Sequence, residues 1–370
     1  MSLSIGIVGL PNVGKSTLFN ALTNNNILAA NYPFATIEPN TGIVPVPDER
    51  LGKLSELYNS KKVIPASVTF VDIAGLVAGA SQGEGLGNQF LANIRSCNAI
   101  IHVVRAFHDD NVIHVHDDQA SVAGGLAGPT KDIEVINTEL VLADLQTVEK
   151  RLPQAEKTAR ANPKLQPSVD ALKEAKALLD DNKPLSQQTE EWRLKTEEHL
   201  RDLQLITAKP VIYLFNVDEE TLANDTRKQE LTKLVSPAQC VFVCAKLESE
   251  LNGLDENDRT EMLESYGVKE AGLVQLIHAA YDTLGLQSYL TAGEQEVRAW
   301  TIPKGATAPQ AAGVIHGDFE RGFIAAQVFD YNDLIAHGSE TAAKQAGKVR
   351  TEGKDYIMQP DDVVEFRFNV

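Results

Sequence analysis

The fold of this 370-residue sequence is decided by the stretch Gly9-Leu10-Pro11-Asn12-Val13-Gly14-Lys15-Ser16. The stretch has the pattern G-x-x-x-x-G-K-[ST] and lies between an apolar run that predicts a buried strand, 3–8, and a run that predicts a helix, 17–22. Between a strand and a helix, this pattern indicates a phosphate-binding loop. Its two glycines let the backbone wrap a phosphate, and its successive N–H groups point inward at the start of a helix.

The side chains of this loop suit a nucleoside triphosphate with a magnesium ion. Lys15 supplies a positive charge for the β- and γ-phosphates, and the Ser16 hydroxyl can ligate Mg²⁺. We therefore expect the loop and the start of its helix to bind nucleotide through Asn12, Val13, Gly14, Lys15, Ser16 and Thr17.

Two further segments predict the rest of the magnesium and phosphate site. Asp72-Ile73-Ala74-Gly75 ends a predicted strand, so we expect Asp72 to hold Mg²⁺ through a water molecule and the Gly75 N–H to sense the γ-phosphate. Thr36 is the expected second protein ligand of Mg²⁺. The glycine-rich segment 78–87 is expected to change conformation with the bound nucleotide, as switch segments do.

The same part of the chain predicts a doubly wound α/β fold. Short apolar, β-branched runs alternate with helical stretches, and the runs that predict strands are 3–8, 68–72, 100–104, 211–215 and 240–244. Nearly continuous apolar strands separated by helices predict a parallel sheet that is covered on both faces. We assign residues 1–130 and 206–284 to this nucleotide-binding domain.

A long helical coil is predicted between the third and fourth of these sequence-predicted strands, over residues 131–205. Between His108 and Ile212 the only aromatic residue is Trp192, and the spacing of a heptad seam is followed by Val141, Leu145, Val148, Leu152, Ala155 and Ala159. Pro153 is expected to kink the helix. The alternative is that these helices lie flat on the sheet domain.

The C-terminal part, residues 285–370, predicts a small α+β domain. Strand-like runs occur at 297–302, 323–328 and 363–368, and a short helix is predicted at 309–315, just after Thr307. Mixed strands with one clear helix are typical of that class.

The composition restricts the partners and the compartment. The chain has 51 acidic and 34 basic residues, a net charge of −17, which opposes non-specific binding to nucleic acid, so no DNA partner is expected. Any RNA contact has to be local, and the candidates lie together in the coil: Lys150, Arg151, Lys157, Arg160 and Lys164. A solvated charged helix is the alternative reading of that cluster.

No membrane association is expected, because no apolar run approaches the length of a membrane-spanning helix. The three cysteines, Cys97, Cys240 and Cys244, form no C-x-x-C pair and indicate neither a disulfide framework nor a zinc site. These features, together with an N-terminus that lacks the pattern of a signal peptide, predict a cytoplasmic protein.

Taken together, these segments resemble the YchF/Obg-like ATPase family. The resemblance lies in 9–16, 31–40, 72–77 and 83–88, and it extends through the C-terminal region. It implies a P-loop GTPase-like fold with an inserted helical coiled-coil and a C-terminal TGS domain of β-grasp type. It also implies an ATP-hydrolysing switch that associates with the ribosome, as the 50S subunit or the 70S particle, or with ribosomal RNA.

The base is predicted from Asn216-Val217-Asp218-Glu219, which stands where GTPases of this fold carry N-K-x-D. Val217 replaces the lysine and the longer Glu219 replaces the aspartate, so the bidentate contact that selects guanine is expected to be lost. Asn216 and nearby backbone groups can instead satisfy adenine, and the backbone of Ala245 is expected to approach the base. ATP is the expected nucleotide, and recognition of guanine by Asp218 or Glu219 is the alternative.

The groups that promote hydrolysis are predicted less directly. Leu76 stands where many switch GTPases have a glutamine that orients the attacking water. His114, in a polar loop after the strand 100–104, is the candidate to move over the γ-phosphate, although it can equally be a surface histidine. Related P-loops with an asparagine at the place of Asn12 hold K⁺ beside the phosphates, so K⁺ is a second candidate. A nucleotide-gated scaffold with incidental hydrolysis is the alternative function.

Overall fold

The structure of the protein is a computed structural model that describes residues 3–23, 41–73, 86–107, 126–251 and 253–369. The described residues fall into two compact units, one formed by 3–23, 41–42 and 69–276, and the other by 43–68 and 277–369. The inserted helices belong to the first unit, and residues 43–68 belong with the C-terminal region. The three-domain division of the sequence, with boundaries near 130, 206 and 285, stays a prediction.

The strands of the described residues are, in chain order, β1 (Ser4–Val8), β2 (Thr41–Pro45), β3 (Val63–Ile64), β4 (Ser67–Asp72), β5 (Ala99–Ala106), β6 (Val211–Val217), β7 (Gln239–Val243), β8 (Leu286–Ala292), β9 (Val297–Pro303), β10 (Phe323–Asp330), β11 (Val349–Glu352) and β12 (Asp362–Phe368). Every strand predicted from the sequence is present among them.

The helices of the described residues are, in chain order, α1 (Lys15–Thr23), α2 (Glu49–Tyr58), α3 (Leu86–Ser96), α4 (Ala127–Ala161), α5 (Gln166–Asp180), α6 (Glu190–Leu200), α7 (Glu219–Leu222), α8 (Asp225–Val235), α9 (Ala245–Leu251), α10 (Glu256–Ser265), α11 (Gly272–Thr283), α12 (Ala308–Ile315), α13 (Gly317–Arg321), α14 (Tyr331–His337) and α15 (Glu340–Gln345).

The first sheet of the described residues has the strand order β2-β4-β1-β5-β6-β7. β1 pairs in parallel with β4 and β5, and β6 pairs in parallel with β5 and β7. In β5 the first seven residues are all buried, as expected for a strand covered by helices on both faces. The predicted doubly wound α/β fold is confirmed, and β1 with its following helix α1 lies at the middle of the sheet.

The inserted helices have a core of their own. Ile133, near the start of α4, packs with Phe215 in the core of the sheet. Farther along α4, buried side chains of the predicted heptad seam pack instead against α5, α6 and the segments beside them, in a cluster that includes Val141, Val148, Ala171, Leu172, Ala175, Leu179, Leu185, Leu200 and Leu205.

Helix α4 begins earlier than the sequence-based expectation, and the kink expected at Pro153 stays a prediction. It begins at Ala127 rather than at residue 131, because Gly128 and Pro129 lie in its first turn, where a proline removes no helical hydrogen bond. The helix is continuous through Pro153 and ends before Asn162.

The second sheet of the described residues has the order β11-β10-β12-β8-β9-β3 and mixes parallel with antiparallel pairs. Helix α12 begins at the predicted place, where Thr307 and Gln310 form a capping box. The one clear helix of the sequence is thus present, and the structure adds α13, α14 and α15. They have five to seven residues, too few to show a helical hydrophobic period in the sequence.

Within the described residues, the structure contains no helix whose length and apolar character would let it span a bilayer.

Candidate nucleotide-binding site

The loop between β1 and α1 approaches its neighbours so closely that two of its positions require glycine. A Cβ atom at Gly9 would lie 2.6 Å from the carbonyl oxygen of Val103, and one at Gly14 would lie 2.5 Å from Nδ2 of Asn216. Gly14 also has a φ of 99°, and Asn12 has a φ of 62°, both in the left-handed region. The glycines therefore seat the loop on β5 and β6.

Lys15 is buried at the base of the loop. Its side chain is 7% exposed, and its Nζ donates a hydrogen bond to the carbonyl oxygen of Leu10 at 2.6 Å. Burial lowers the pKa of Lys15 to about 8, and the nearby charge of Asp72 opposes that shift. The ammonium group thus lies within the turn of the loop and is poorly hydrated, a setting in which an anion is strongly attracted.

Ser16 and Asp72 supply the oxygen atoms expected around a magnesium ion. Burial raises the pKa of Asp72. The positive charge of Lys15 and a hydrogen bond from the Ser16 hydroxyl to the Asp72 carboxylate both oppose this rise. The described residues contain no cluster of three or more acidic, histidine or cysteine side chains that could hold a metal ion by themselves. Magnesium in nucleotide sites usually binds one or two protein oxygens together with waters and phosphate oxygens, so this donor set fits the ion.

Asn216, at the end of β6, joins two loops of the site. Its Nδ2 donates to the carbonyl oxygen of Val13 at 3.1 Å, and its Oδ1 accepts from the backbone N–H of Ala245 at 3.3 Å. The side chain is buried, and each of its polar atoms already has a partner in the protein. Asn216 therefore joins the P-loop to the start of α9. Recognition of adenine by its side chain stays a prediction.

A cavity of about 680 Å³ opens beside the P-loop. It is lined by Asn12, Gly14, Thr17, Phe107, Asn216, Val217, Asp218, Glu219, Glu220, Cys244, Ala245 and Lys246. The structure thus brings P-loop residues together with the ends of β6 and β7, at the carboxyl edge of a parallel sheet where ligands of doubly wound folds bind. The volume is within the range of pockets for small ligands and cofactors.

The acidic residues at the edge of this cavity have partners in the protein. Asp218 caps α7 by accepting a hydrogen bond from the backbone N–H of Thr221 at 2.8 Å. Glu219 forms a salt bridge of 2.9 Å with Lys246, and this bond raises the pKa of the lysine. Both carboxylates are therefore held by the ends of neighbouring elements.

Phe107 is a lining residue that the sequence analysis missed. It follows β5 directly, and Arg105 lies 4.6 Å from the centre of its ring while donating from Nε to its carbonyl oxygen at 3.3 Å. The available signal was its position just after a central strand, where side chains reach the ligand edge of the sheet. The pairing of Glu219 with Lys246 was also missed, because 27 residues separate them.

Three of the predicted site residues, Thr36, Gly75 and His114, lie outside the described residues, as does Leu76. Their roles stay predictions.

Known proteins similar to this chain cover its whole length. Relatives named "Ribosome-binding ATPase YchF" from Bacillus subtilis (strain 168) and Escherichia coli O157:H7 are each 50% identical to it, with 100% of both chains covered. The solved structure of the Schizosaccharomyces pombe YchF GTPase is 38% identical, with 99% of this chain and 98% of that chain covered, at a TM-score of 0.85.

Two family models match separate parts of the chain. Residues 4–137 match MMR_HSR1, described as 50S ribosome-binding GTPase, and residues 286–369 match YchF-GTPase_C, described as a protein of unknown function. The full-length relatives and the two matched segments agree with the P-loop, the α/β sheet and the C-terminal α+β region described above. The chain belongs to the YchF family.

Proposed function

We propose that this protein is a ribosome-associated switch that binds and hydrolyses ATP with Mg²⁺ in the cytoplasm. Its relatives from B. subtilis and E. coli carry the name ribosome-binding ATPase. The observation that carries the choice of ATP is the engagement of Asp218 and Glu219 beside a P-loop cavity.

The choice between adenine and guanine depends on the hydrogen-bond donors and acceptors that the site offers the base. Guanine selection needs a carboxylate that accepts two bonds from the base, and a displaced or occupied carboxylate loses most of that discrimination. Here Asp218 holds the start of α7 and Glu219 holds Lys246. Val217 and Ala245 both line the same cavity, and neither offers the charged side chain of the lysine that GTPases of this fold carry at the place of Val217.

On the phosphate side of the site, each group of the protein has a proposed role. Lys15 and the N–H groups of the loop bind the β- and γ-phosphate oxygens, while Ser16 and Asp72 hold the metal side. When bound, Mg²⁺ neutralises charge that develops on the phosphates. Thr36 as a further ligand, Gly75 as the γ-phosphate sensor and His114 as the group above the γ-phosphate complete the proposal.

GTP is the second candidate nucleotide. The S. pombe structure has YchF GTPase in its title, and the model matching residues 4–137 is described as a GTPase. Under this alternative, Glu219 would have to leave Lys246 to reach guanine, or Asp218 would accept from guanine while one of its oxygens still caps α7.

Competitive nucleotide binding tests the base assignment. ATP and GTP displace a fluorescent N-methylanthraniloyl ADP from the purified protein with Mg²⁺, and Lys15→Ala serves as the control that removes phosphate binding. We expect ATP to bind at least about tenfold more tightly, a difference of about 1.4 kcal/mol. Tighter binding of GTP would overturn the assignment.

Repeating hydrolysis with K⁺ in place of Na⁺ tests the proposed K⁺ beside Asn12, which should speed turnover.

Single-turnover hydrolysis with and without ribosomes separates a switch from a scaffold. A switch should hydrolyse ATP faster when 70S particles or 50S subunits are added, and its ribosome affinity should differ between ATP and ADP. Equal ribosome affinity in both nucleotides, with unstimulated hydrolysis, would favour the scaffold.

A further inference from the structure

A buried carboxylate links the base side of the nucleotide cavity to the start of helix α11. Glu248, in α9, is 7% exposed, and its Oε1 accepts a hydrogen bond from the backbone N–H of Leu273 at 3.3 Å. The N–H of Gly272 also donates to this carboxylate. Both donors are in the first turn of α11, where N–H groups have no partner within the helix.

The other end of α9 is part of the nucleotide site. Its first residue, Ala245, lines the cavity and donates its N–H to Asn216, which in turn donates to Val13 of the P-loop. Helix α9 has only seven residues, so Glu248 lies one turn beyond Ala245. A series of hydrogen bonds thus runs from the P-loop through this short helix to α11.

The contact between α9 and α11 leaves no room for a side chain at Gly272. A Cβ atom at Gly272 would lie 2.8 Å from the carbonyl oxygen of Phe242 and 3.1 Å from Oε1 of Glu248. Phe242 belongs to β7, whose end leads through Cys244 directly into Ala245. The start of α11 is therefore pressed against both the strand and the helix that flank the base side of the cavity.

Capping alone does not require a buried carboxylate between two elements. The start of α10 is capped by Asp255, a neighbouring residue that accepts from the N–H groups of Asn257 and Asp258 at 3.0 Å in an exposed setting. Burying a carboxylate costs free energy of solvation that a surface cap does not lose. Glu248 differs from such a cap because it is buried and joins a second helix, α9, to the start of α11.

We propose that Glu248 is a positioning residue for the base end of the site, holding α9 against α11 so that Ala245 and Lys246 face the bound adenine. The inference rests on the proposed function, since it takes ATP as the ligand. Glu248 does not touch the nucleotide. Its loss should therefore weaken binding of the base while the phosphates, held by the P-loop, keep their contacts.

The test compares a ligand that has a base with one that lacks it. ATP and inorganic tripolyphosphate are each titrated against N-methylanthraniloyl ADP on the wild type and on Glu248→Ala. We expect the substitution to raise the Kd of ATP about tenfold and to leave the Kd of tripolyphosphate within about twofold. Glu248→Gln keeps the shape and an acceptor oxygen, so it should retain most of the ATP affinity.

Asp255→Ala is the matched control. It removes a helix cap from the neighbouring α10, with an expected loss of about 2–4 °C in apparent Tm. Because Asp255 has no contact with α9 in the described hydrogen bonds, the ratio of the two dissociation constants should stay at the wild-type value.

Two outcomes would overturn the inference: an unchanged ratio in folded Glu248→Ala, or equal weakening of ATP and tripolyphosphate. If Glu248→Ala does not fold, Glu248→Asp takes its place, since it keeps the charge but withdraws the carboxylate from Leu273. An unchanged ratio of the ATP and tripolyphosphate dissociation constants in Glu248→Asp would equally overturn the inference. A wild-type protein that fails to bind ATP would instead contradict the proposed function.

Discussion

Gly14 shows how tightly a single residue is held at the phosphate site. Its φ of 99° is unfavourable for any side chain, and an added Cβ would lie 2.5 Å from Nδ2 of Asn216. Relief of that overlap requires the Asn216 carboxamide to move, which would break its bonds to both Val13 and Ala245. A methyl group at this position therefore disturbs the phosphate side and the base side together.

We predict that Gly14→Ala lowers ATP affinity at least about tenfold, measured by displacement of the fluorescent nucleotide. Gly52→Ala is the control, because Gly52 lies in the exposed face of α2 with no atom within 4 Å of the added Cβ. Alanine there should leave binding unchanged and stabilise the helix by about 0.5–1 kcal/mol. If Gly14→Ala bound ATP with wild-type affinity, the loop would have space for a methyl group that the structure does not show, and the prediction would be wrong.

Glu248 also carries a prediction on pH and stability. Burial raises the pKa of its carboxyl from an ordinary 4.5 to about 7, while the N–H groups of Leu273 and Gly272 and the charge of Arg259 oppose the rise. The folded protein therefore binds this proton more tightly than the unfolded chain does. The resulting stability is fully present below about pH 4.5 and is lost as the pH rises through about 7.

Glu248→Gln cannot ionise and should lack this pH dependence. We expect the apparent Tm of the wild type to fall relative to that of Glu248→Gln between pH 5 and pH 8, by an amount that reflects about 3 kcal/mol at most. Thermal unfolding of both proteins across this range measures the difference. A constant difference in Tm between the two proteins would contradict the raised pKa.

At the scale of elements, the joint between α3 and the inserted helix α4 is built around a buried carboxylate and a partly exposed arginine. Arg95, in the last turn of α3, donates to the carbonyl oxygen of Ala143 at 3.3 Å and lies 3.6 Å from the carboxylate of Asp144. Asp144 has no exposed surface and accepts from the N–H groups of Ile206 and Thr207 at 3.0 and 2.7 Å. One carboxylate thus joins the entry of the insertion to its exit.

We predict that Asp144→Ala destabilises this joint by about 3–5 kcal/mol, because it leaves the buried N–H groups of Ile206 and Thr207 and the Thr207 hydroxyl without their acceptor. Urea unfolding followed by Trp192 fluorescence, in a Trp300→Phe background, reports on the inserted helices. The exposed ion pair of Asp180 with Lys176 provides the control, and Asp180→Ala should cost at most about 0.5 kcal/mol. Equal losses in the two variants would contradict the prediction.

The elements that the sequence predicted are those whose signal is local. The five strands predicted for the first sheet are nearly continuous apolar runs, and the heptad seam of α4 repeats over more than three turns. Each of these elements can therefore be predicted from its own residues alone. β3 has two residues and exists because it pairs with β9, more than 230 residues away in the sequence. No local pattern records such a pairing.

The candidate site divides in the same way. The P-loop was predictable because its chemistry lies within eight consecutive residues, whereas the bonds of Asn216 to Val13 and of Glu219 to Lys246 join distant segments. The sequence predicts Asn216 as a base contact, which stays a prediction, and gives no sign that its carboxamide joins two loops. Glu248 carried no sequence signal, since its role depends on the packing of α11 against α9.

At the scale of the whole molecule, the proposed association with ribosomes requires a local basic surface on a protein of net charge −17. Five exposed cations lie on the outer part of α4 and just beyond its end, and within the described residues none has a carboxylate within 4.0 Å: Lys150, Arg151, Lys157, Arg160 and Lys164. By contrast, the α5 lysines Lys173 and Lys176 are paired with Glu156 and Glu149. The unpaired set can contact phosphates without first breaking an ion pair.

The two sets of lysines and arginines allow a test at constant net charge. Lys157→Glu with Arg160→Glu, and Lys173→Glu with Lys176→Glu, both change the charge by −4, so the overall field of the protein changes equally in the two double variants. If ribosome binding depends on the unpaired set, the first variant should bind ribosomes at least about tenfold more weakly in co-sedimentation. The slope of its log affinity against log salt concentration should decrease by the equivalent of about one to two phosphate contacts. The second should bind nearly as the wild type does, and both should keep wild-type ATP affinity, because neither pair lies at the nucleotide cavity. Equal weakening by the two variants would mean that the general field, and not a local contact on α4, governs the encounter with the ribosome.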